Sequence, residues 1–162
     1  MDLLLWRCAD IAKPDSPDDG DSLKTPLGER GRKQAERLAR WLKEHQPKDL
    51  QVYSSPATAT VQMAKLVSRA ARIDRRLGPD AQPADLQAVV DWPLEHPAVL
   101  LIAHQPALGG LAALLLGGDG ATCSIRKGAL WWFTRRSRAG ESQVVLRAVL
   151  SPELIGRAPP RR

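Results

Sequence analysis

The sequence predicts an α/β fold, a three-layer α/β/α sandwich with a mostly parallel sheet, on the strength of two observations. Short apolar runs without helical period alternate with segments whose apolar residues recur at helical spacing. These segments follow the order strand, helix, strand, helix, helix, strand, helix and hairpin, which is typical of crossovers in a parallel sheet. A chain of 162 residues has the length of one domain. We therefore expect a single domain over residues 1–155 and a basic flexible tail over residues 156–162.

Three short runs are predicted as strands, followed by a hairpin. Leu3–Trp6 and Val99–Ile102 are continuously apolar, as expected of strands covered on both faces. Gln51–Ser54 is the third run. Gly128–Thr134 and Gln143–Leu150 are rich in Val, Leu and aromatic residues, so we predict a β-hairpin with residues 135–142 as its connection.

Four helices are predicted between these strands. Gly28–Gln46 carries an apolar stripe at helical spacing, and Pro56–Ala71 begins with a proline suited to a first turn. Asp85–Asp91 predicts a short helix and Pro106–Leu116 a more apolar one. The acidic segment Asp10–Pro26 is a long loop after the first strand, which is typical of a functional or mobile segment.

Composition narrows the classes of partner. The formal net charge of +6 favours anionic ligands, but it does not distinguish nucleic acid from a small phosphate. The basic residues Arg135, Arg136 and Arg138 fit a solvated turn, and no nucleic-acid motif accompanies them, so we expect no nucleic-acid partner. The longest apolar stretch, Ala98–Ala103, is far shorter than a membrane span. With two cysteines and no basic leader, we expect a cytoplasmic protein without a membrane partner.

Polar groups follow the predicted strands where ligands bind in α/β sheets, at the carboxyl ends. These segments are Arg7-Cys8-Ala9, Ser54-Ser55-Pro56 and His104-Gln105-Pro106. A guanidinium beside helix N-termini favours a phosphate-like anion. Lys127 either reaches that anion or is solvated, and both interpretations stay open. The cysteines and histidines lack metal-ligand spacing, so we expect neither a metal nor another cofactor.

Five segments, in their order and spacing, resemble the histidine phosphatase superfamily, and within it the small SixA-type phosphohistidine phosphatases. The segments are Leu4–Ala9, Leu27–Ala35, Ser54–Pro56 with Gln62 and Ala64, Ile102–Pro106 and Lys127–Trp132. The similarity extends over nearly the whole chain, from Asp2 to Leu154. It implies a phosphoglycerate-mutase-like fold.

The resemblance also implies a phosphate pocket, from which this chain departs at two positions. In the family, an arginine grips phosphate and the histidine after it attacks phosphorus. A second arginine and a second histidine stabilise the transferring group. Arg7 and His104 match the first arginine and the second histidine. Cys8 stands where the nucleophilic histidine belongs, and Ala59 stands where the second arginine belongs.

Three functional hypotheses follow. The favoured one is a degenerate member that binds phosphate or a phosphorylated protein side chain through Arg7, His104, Ser55 and Lys127, with little or no turnover. The second is an active phosphatase on phosphohistidine or a small phosphomonoester, in which Cys8 is the nucleophile and His104 assists catalysis. Such a thiolate would have a pKa lowered by Arg7. The third is a non-catalytic module that recognises a histidine-phosphotransfer protein through the pocket rim.

Two features of this pocket stay open at the level of sequence. Cys8 is a nucleophile, an inert remnant of lost catalysis, or a laboratory substitution that traps a ligand. No general acid stands out, and Asp10, Asp80 and Glu95 are positional candidates.

Overall fold

The structure is a computed structural model that describes residues 1–13, 23–90, 98–118 and 120–156. Within these residues, six strands and four helices form the fold. The strands are β1 (Asp2–Arg7), β2 (Gln51–Ser54), β3 (Arg72–Ile73), β4 (Ala98–Ala103), β5 (Leu130–Arg138) and β6 (Glu141–Leu150). The helices are α1 (Glu29–His45), α2 (Thr58–Val67), α3 (Pro83–Val90) and α4 (Ala107–Leu115), with a 3₁₀ turn at Arg75–Leu77.

All six strands belong to one sheet, in the order β3-β2-β4-β1-β5-β6. The pairs β1–β4, β2–β4 and β2–β3 are parallel, whereas β1–β5 and β5–β6 are antiparallel. The mostly parallel α/β sheet is therefore confirmed. The two strands of the C-terminal hairpin form its antiparallel edge.

Helices cover both faces of the sheet, because successive side chains of a strand point to opposite faces. Leu4 and Trp6 of β1 pack into a core with α1 and α2. Leu3 and Leu5 pack into a second core with α3 and α4. β4 is buried along its whole length, as its unbroken apolar sequence predicted. The three-layer prediction is confirmed.

The prediction for the second helix was wrong at both ends. Residues 56 and 57 precede α2, because Ala57 has extended backbone angles, with its N–H bonded to the Ser55 hydroxyl at 3.2 Å. The helix ends at Val67, and Ser68 is again extended. The chain then enters the exposed two-residue strand β3, which has no apolar run in the sequence to indicate it.

The hairpin was predicted with too long a connection. β5 continues to Arg138 and β6 begins at Glu141, so residues 135–142 are mostly strand. The turn itself is Ala139–Gly140, with φ of 53° and 82°. Polar side chains form strand here because this end of the hairpin extends beyond the core, with residues 137–143 exposed.

Some predictions fall wholly or partly outside the described residues. These are Glu95, the tail beyond Gly156, residues 14–22 of the acidic loop, and Asp91 at the end of the third predicted helix. None of the helices in the described part of the chain is long and apolar enough to cross a membrane.

Candidate functional site

A cavity of about 210 Å³ lies at the carboxyl ends of the parallel strands. Arg7 and Cys8 reach it from the end of β1, and His104 reaches it from the end of β4. Lys127 lines it from the loop before β5, and Ala59 lines it from the first turn of α2. Four of the five candidate site residues thus meet at one cavity. Ser55, the fifth, is fully buried behind it.

The Arg7 guanidinium uses one of its N–H donors within the protein. Its Nη1 donates to the carbonyl of Ile125 at 2.6 Å, which fixes the side chain against the loop before β5. Partial burial lowers the pKa of Arg7, and the neighbouring Cys8 opposes that shift. A guanidinium has five N–H donors and remains charged in proteins. Arg7 therefore keeps donors for an anion in the cavity.

Cys8 has a thiol that burial keeps protonated. Its backbone N–H bonds to the carbonyl of Ala103 at 2.9 Å, which fixes the residue beside β4. Burial raises its pKa to about 11, against a lowering by Arg7 and Lys127 and a further raising by Asp10. The sequence hypothesis of an active phosphatase expected a lowered pKa here. The structure gives the opposite direction, because desolvation outweighs the two nearby cations.

His104 is held by Ser55. Its Nε2 lies 2.8 Å from the Ser55 hydroxyl oxygen, which also accepts the backbone N–H of Ala57. The hydroxyl can donate to Nε2 or accept from an Nε2–H, so this contact holds the ring in place with either tautomer. Burial, and secondly Arg7, lowers the pKa of His104. At neutral pH the imidazole is therefore uncharged.

Lys127 belongs to a loop that is tied through Gly128 to β1 and to Cys8. Gly128 donates its N–H to the carbonyl of Cys8 at 3.3 Å, and the Trp6 indole donates to the carbonyl of Gly128 at 2.9 Å. The Lys127 ammonium forms an ion pair with Asp10 at 3.1 Å, with side chains 57% and 32% exposed. Water reaches this pair, so an anion can compete with the carboxylate for Lys127.

The loop that carries Asp10 is fixed against α1. The backbone N–H of Asp10 lies 3.3 Å from Oε1 of Gln34, and the carbonyl of Asp10 accepts the N–H of Gly28 at 3.0 Å. A Cβ on Gly31 would lie only 1.8 Å from that carbonyl oxygen. Only glycine lets α1 approach this closely.

The remaining wall of the cavity is apolar. Ala59 is 1% exposed, and its methyl group is what α2 contributes there, beside Ala57, Ile11 and Pro79. Sequence reasoning missed the fully buried Met63, whose sulfur lies 3.3 Å from the N–H of Ala9. The cavity is thus cationic on one side and apolar on the other.

Gln105 also lines the cavity, and sequence reasoning gave it no role. Its Nε2 donates to the carbonyl of Cys123 at 3.0 Å, and its buried Oε1 has no partner among the described residues. The sequence signal for a role was its position directly after His104, at the end of a predicted strand.

Of the general-acid candidates, Asp10 is ion-paired at the rim of the cavity and Asp80 is exposed next to Pro79. The described residues contain no cluster of three metal-ligating side chains.

The sheet order, the helices on both faces and the site at the strand ends define a phosphoglycerate-mutase-like α/β protein. The profile of the histidine phosphatase superfamily, branch 1, matches residues 5–82. Over these residues the chain is similar to the histidine phosphatase superfamily, and its fold is like that of SixA-type phosphohistidine phosphatases.

Solved structures share this fold over almost the whole chain. A protein assigned as the phosphohistidine phosphatase SixA from Agrobacterium tumefaciens is 20% identical, with a TM-score of 0.76 over 93% of this chain and 97% of that one. The protein histidine phosphatase SixA in complex with tungstate is 24% identical, with a TM-score of 0.71 over 94% and 97%. A mutant phosphoserine phosphatase from Entamoeba histolytica, in complex with phosphoserine, is 12% identical, with a TM-score of 0.67 over 94% and 98%. A search of curated protein sequences gave no significant match.

Proposed function

We propose that this protein binds free phosphate or the phosphoryl group of a phosphorylated protein side chain, with little or no turnover. One observation carries the proposal. Arg7, His104 and Lys127 line a single cavity, while a protonated thiol and a methyl group occupy the two positions where the resemblance places catalytic groups. The tungstate and phosphoserine complexes of proteins with this fold support a phosphate-type ligand.

Binding requires donors that are already in place. Arg7 is held by Ile125 and presents its other N–H groups, which suit two phosphate oxygens. His104 lines the cavity as a neutral imidazole whose Nε2 is held by Ser55. Lys127 supplies a second cation by exchanging Asp10 for phosphate. Ser55 is fully buried, so we assign it the positioning of His104 and not a direct contact with phosphate.

Turnover requires a nucleophile and stabilisation of the charge that spreads over the phosphoryl oxygens. With a pKa of about 11, roughly one Cys8 thiol in 10⁴ is ionised at pH 7. Ala59 provides no charge, and the absence of one transition-state donor costs on the order of 10²–10³ in rate. Both effects reduce the rate of hydrolysis. Binding of phosphate in the ground state depends on Arg7 and Lys127. The hypothesis of an active cysteine phosphatase is disfavoured for this reason.

The binding part of the proposal is tested by titrating tungstate into the protein by calorimetry. Arg7→Gln should weaken binding by about tenfold or more, because a charge-assisted hydrogen bond contributes roughly 1.5–3 kcal/mol. Arg138→Gln is the matched control, since Arg138 is an exposed arginine at the hairpin tip. Equal tungstate affinity in the wild type and in Arg7→Gln would overturn a phosphate site at this cavity.

The turnover part is tested with a phosphohistidine peptide, by measuring released phosphate. We expect the wild type to match the rate in buffer alone, and the double substitution Cys8→His with Ala59→Arg to release phosphate faster. Wild-type turnover that disappears in Cys8→Ser would refute the degenerate assignment and support the thiol as nucleophile.

A further inference from the structure

Two further depressions continue from the cavity along the surface. The second, of about 260 Å³, shares Lys127 with the first and is also lined by Arg126, Arg30, Asp10 and Glu153. The third, of about 410 Å³, shares Arg30 and Glu153 with the second. We call the second and third depressions together the basic trough. It leads away from Cys8 along the first half of α1.

The trough contains more cations than carboxylates. Its five cations are Arg30, Lys33, Arg37, Arg126 and Lys127, and its three carboxylates are Asp10, Glu29 and Glu153. The cations therefore exceed the carboxylates by two (five against three), and the excess lies next to the cavity proposed to hold phosphate.

Two of these cations are unengaged in the described part of the chain. Lys33 pairs with Glu29 at 2.7 Å, and Arg37 donates to the carbonyl of Pro152 at 2.8 Å. The exposed guanidinium groups of Arg30 and Arg126 have neither an ion pair nor a side-chain hydrogen bond with any described residue. Both line the second depression, beside Lys127.

The floor of the trough is held in place by side-chain contacts. Gln34 lies 3.3 Å from the N–H of Asp10, and its Nε2 lies 3.4 Å from Glu153. A Cβ on Gly128 would lie 3.2 Å from Pro152 and 3.3 Å from Gln34, so the loop of Lys127 packs closely against this floor. A ligand therefore meets a preformed surface.

We propose that the basic trough binds acidic side chains on either side of the phosphorylated residue of a polypeptide partner. This inference rests on the proposed function, because the phosphoryl group would occupy the cavity next to the trough. Nucleic acid fits less well. No aromatic side chain lines the trough for stacking on bases.

The test compares two phosphoserine peptides that differ only in the flanking residues, Asp and Glu in one and Asn and Gln in the other. Fluorescence anisotropy at low salt should show about fivefold to tenfold tighter binding of the acidic peptide, since one or two exposed charge pairs contribute up to about 1 kcal/mol each. The double substitution Arg30→Gln with Arg126→Gln should remove this preference. The double substitution Arg40→Gln with Arg138→Gln should keep it, because both residues are exposed and line neither depression.

Each outcome bears on one proposal. An acidic preference that is absent in the wild type, or that survives Arg30→Gln with Arg126→Gln, overturns the trough as a docking surface. A competition experiment provides a second check. If a single-stranded oligonucleotide displaces the labelled acidic peptide at a lower concentration than the unlabelled acidic peptide needs, the trough as a peptide-docking surface is also overturned. Failure of tungstate to bind the wild type, with the acidic preference intact, refutes the phosphate site and supports the trough.

Discussion

The protonation of Cys8 gives a quantitative prediction. In a Cys123→Ser background, Cys8 is the sole thiol of the chain. A pKa of about 11 in place of the usual 9.0 lowers the thiolate fraction at pH 7.5 by roughly 100-fold. Since the thiolate is the reactive form, alkylation by iodoacetamide should be slower by about the same factor. Mass spectrometry of quenched samples measures the rate at each pH.

The pH profile of that alkylation provides the control. The protein unfolded in guanidinium should titrate near 9.0, whereas the folded protein should still be rising at pH 10. Arg7 is the largest cause that lowers the Cys8 pKa, so Arg7→Gln should shift the folded profile to higher pH. Asp10 raises the pKa, so Asp10→Asn should shift the profile to lower pH. A folded midpoint at or below 9.0 would refute the argument that desolvation dominates at this cavity.

Three further changes test the packing around the site. Gly31→Ala should lower the free energy of unfolding by about 1–3 kcal/mol, because its Cβ would overlap the Asp10 carbonyl. Gly156→Ala, with nothing within 4 Å, should leave the thermal midpoint unchanged, and equal effects of the two would exclude the clash. Burial lowers the pKa of His104 below 6.5, so the unfolded chain binds the proton first and stability falls as pH drops below that value. His104→Gln should flatten this decline in urea unfolding between pH 7.5 and 5.5, and an unchanged slope would contradict it. Ser55→Ala should lower the free energy of unfolding by about 1–3 kcal/mol, because it removes the hydroxyl that contacts Nε2 of His104. The nitrogen chemical shift of Nε2 should move with it, and an unchanged shift would show that Ser55 does not bond to His104.

The sequence was sufficient for the sheet and for the edge where the site lies. β1 and β4 are unbroken apolar runs, and such runs suit strands between two helical layers. The carboxyl-end rule for parallel strands then predicted that Arg7, Cys8 and His104 lie near one another, as they do. The resemblance added the order of the segments and the place of Ala59.

The sequence was insufficient where long-range packing decides the outcome. The pKa of Cys8 depends on how much protein surrounds the thiol, which neighbouring residues in the chain do not reveal. The pairing of Lys127 with Asp10 joins residues far apart in sequence. The burial of Ser55 and the contact of its hydroxyl with Nε2 of His104 also join residues far apart in sequence.

The two edge strands of the sheet differ in length. The edge strand β3 has two residues, whereas the edge strand β6 has ten. A long outer strand invites a second chain to extend the sheet, which is a common route to aggregation. Here the pairing of β5 with β6 shifts register between Trp132 and Phe133, and Arg147 lies over the Trp132 ring at 4.4 Å from its centroid. An incoming strand needs an even row of outward-facing N–H and C=O groups on β6, and this irregularity interrupts that row next to a charged side chain. The edge therefore disfavours aggregation through strand pairing at high concentration.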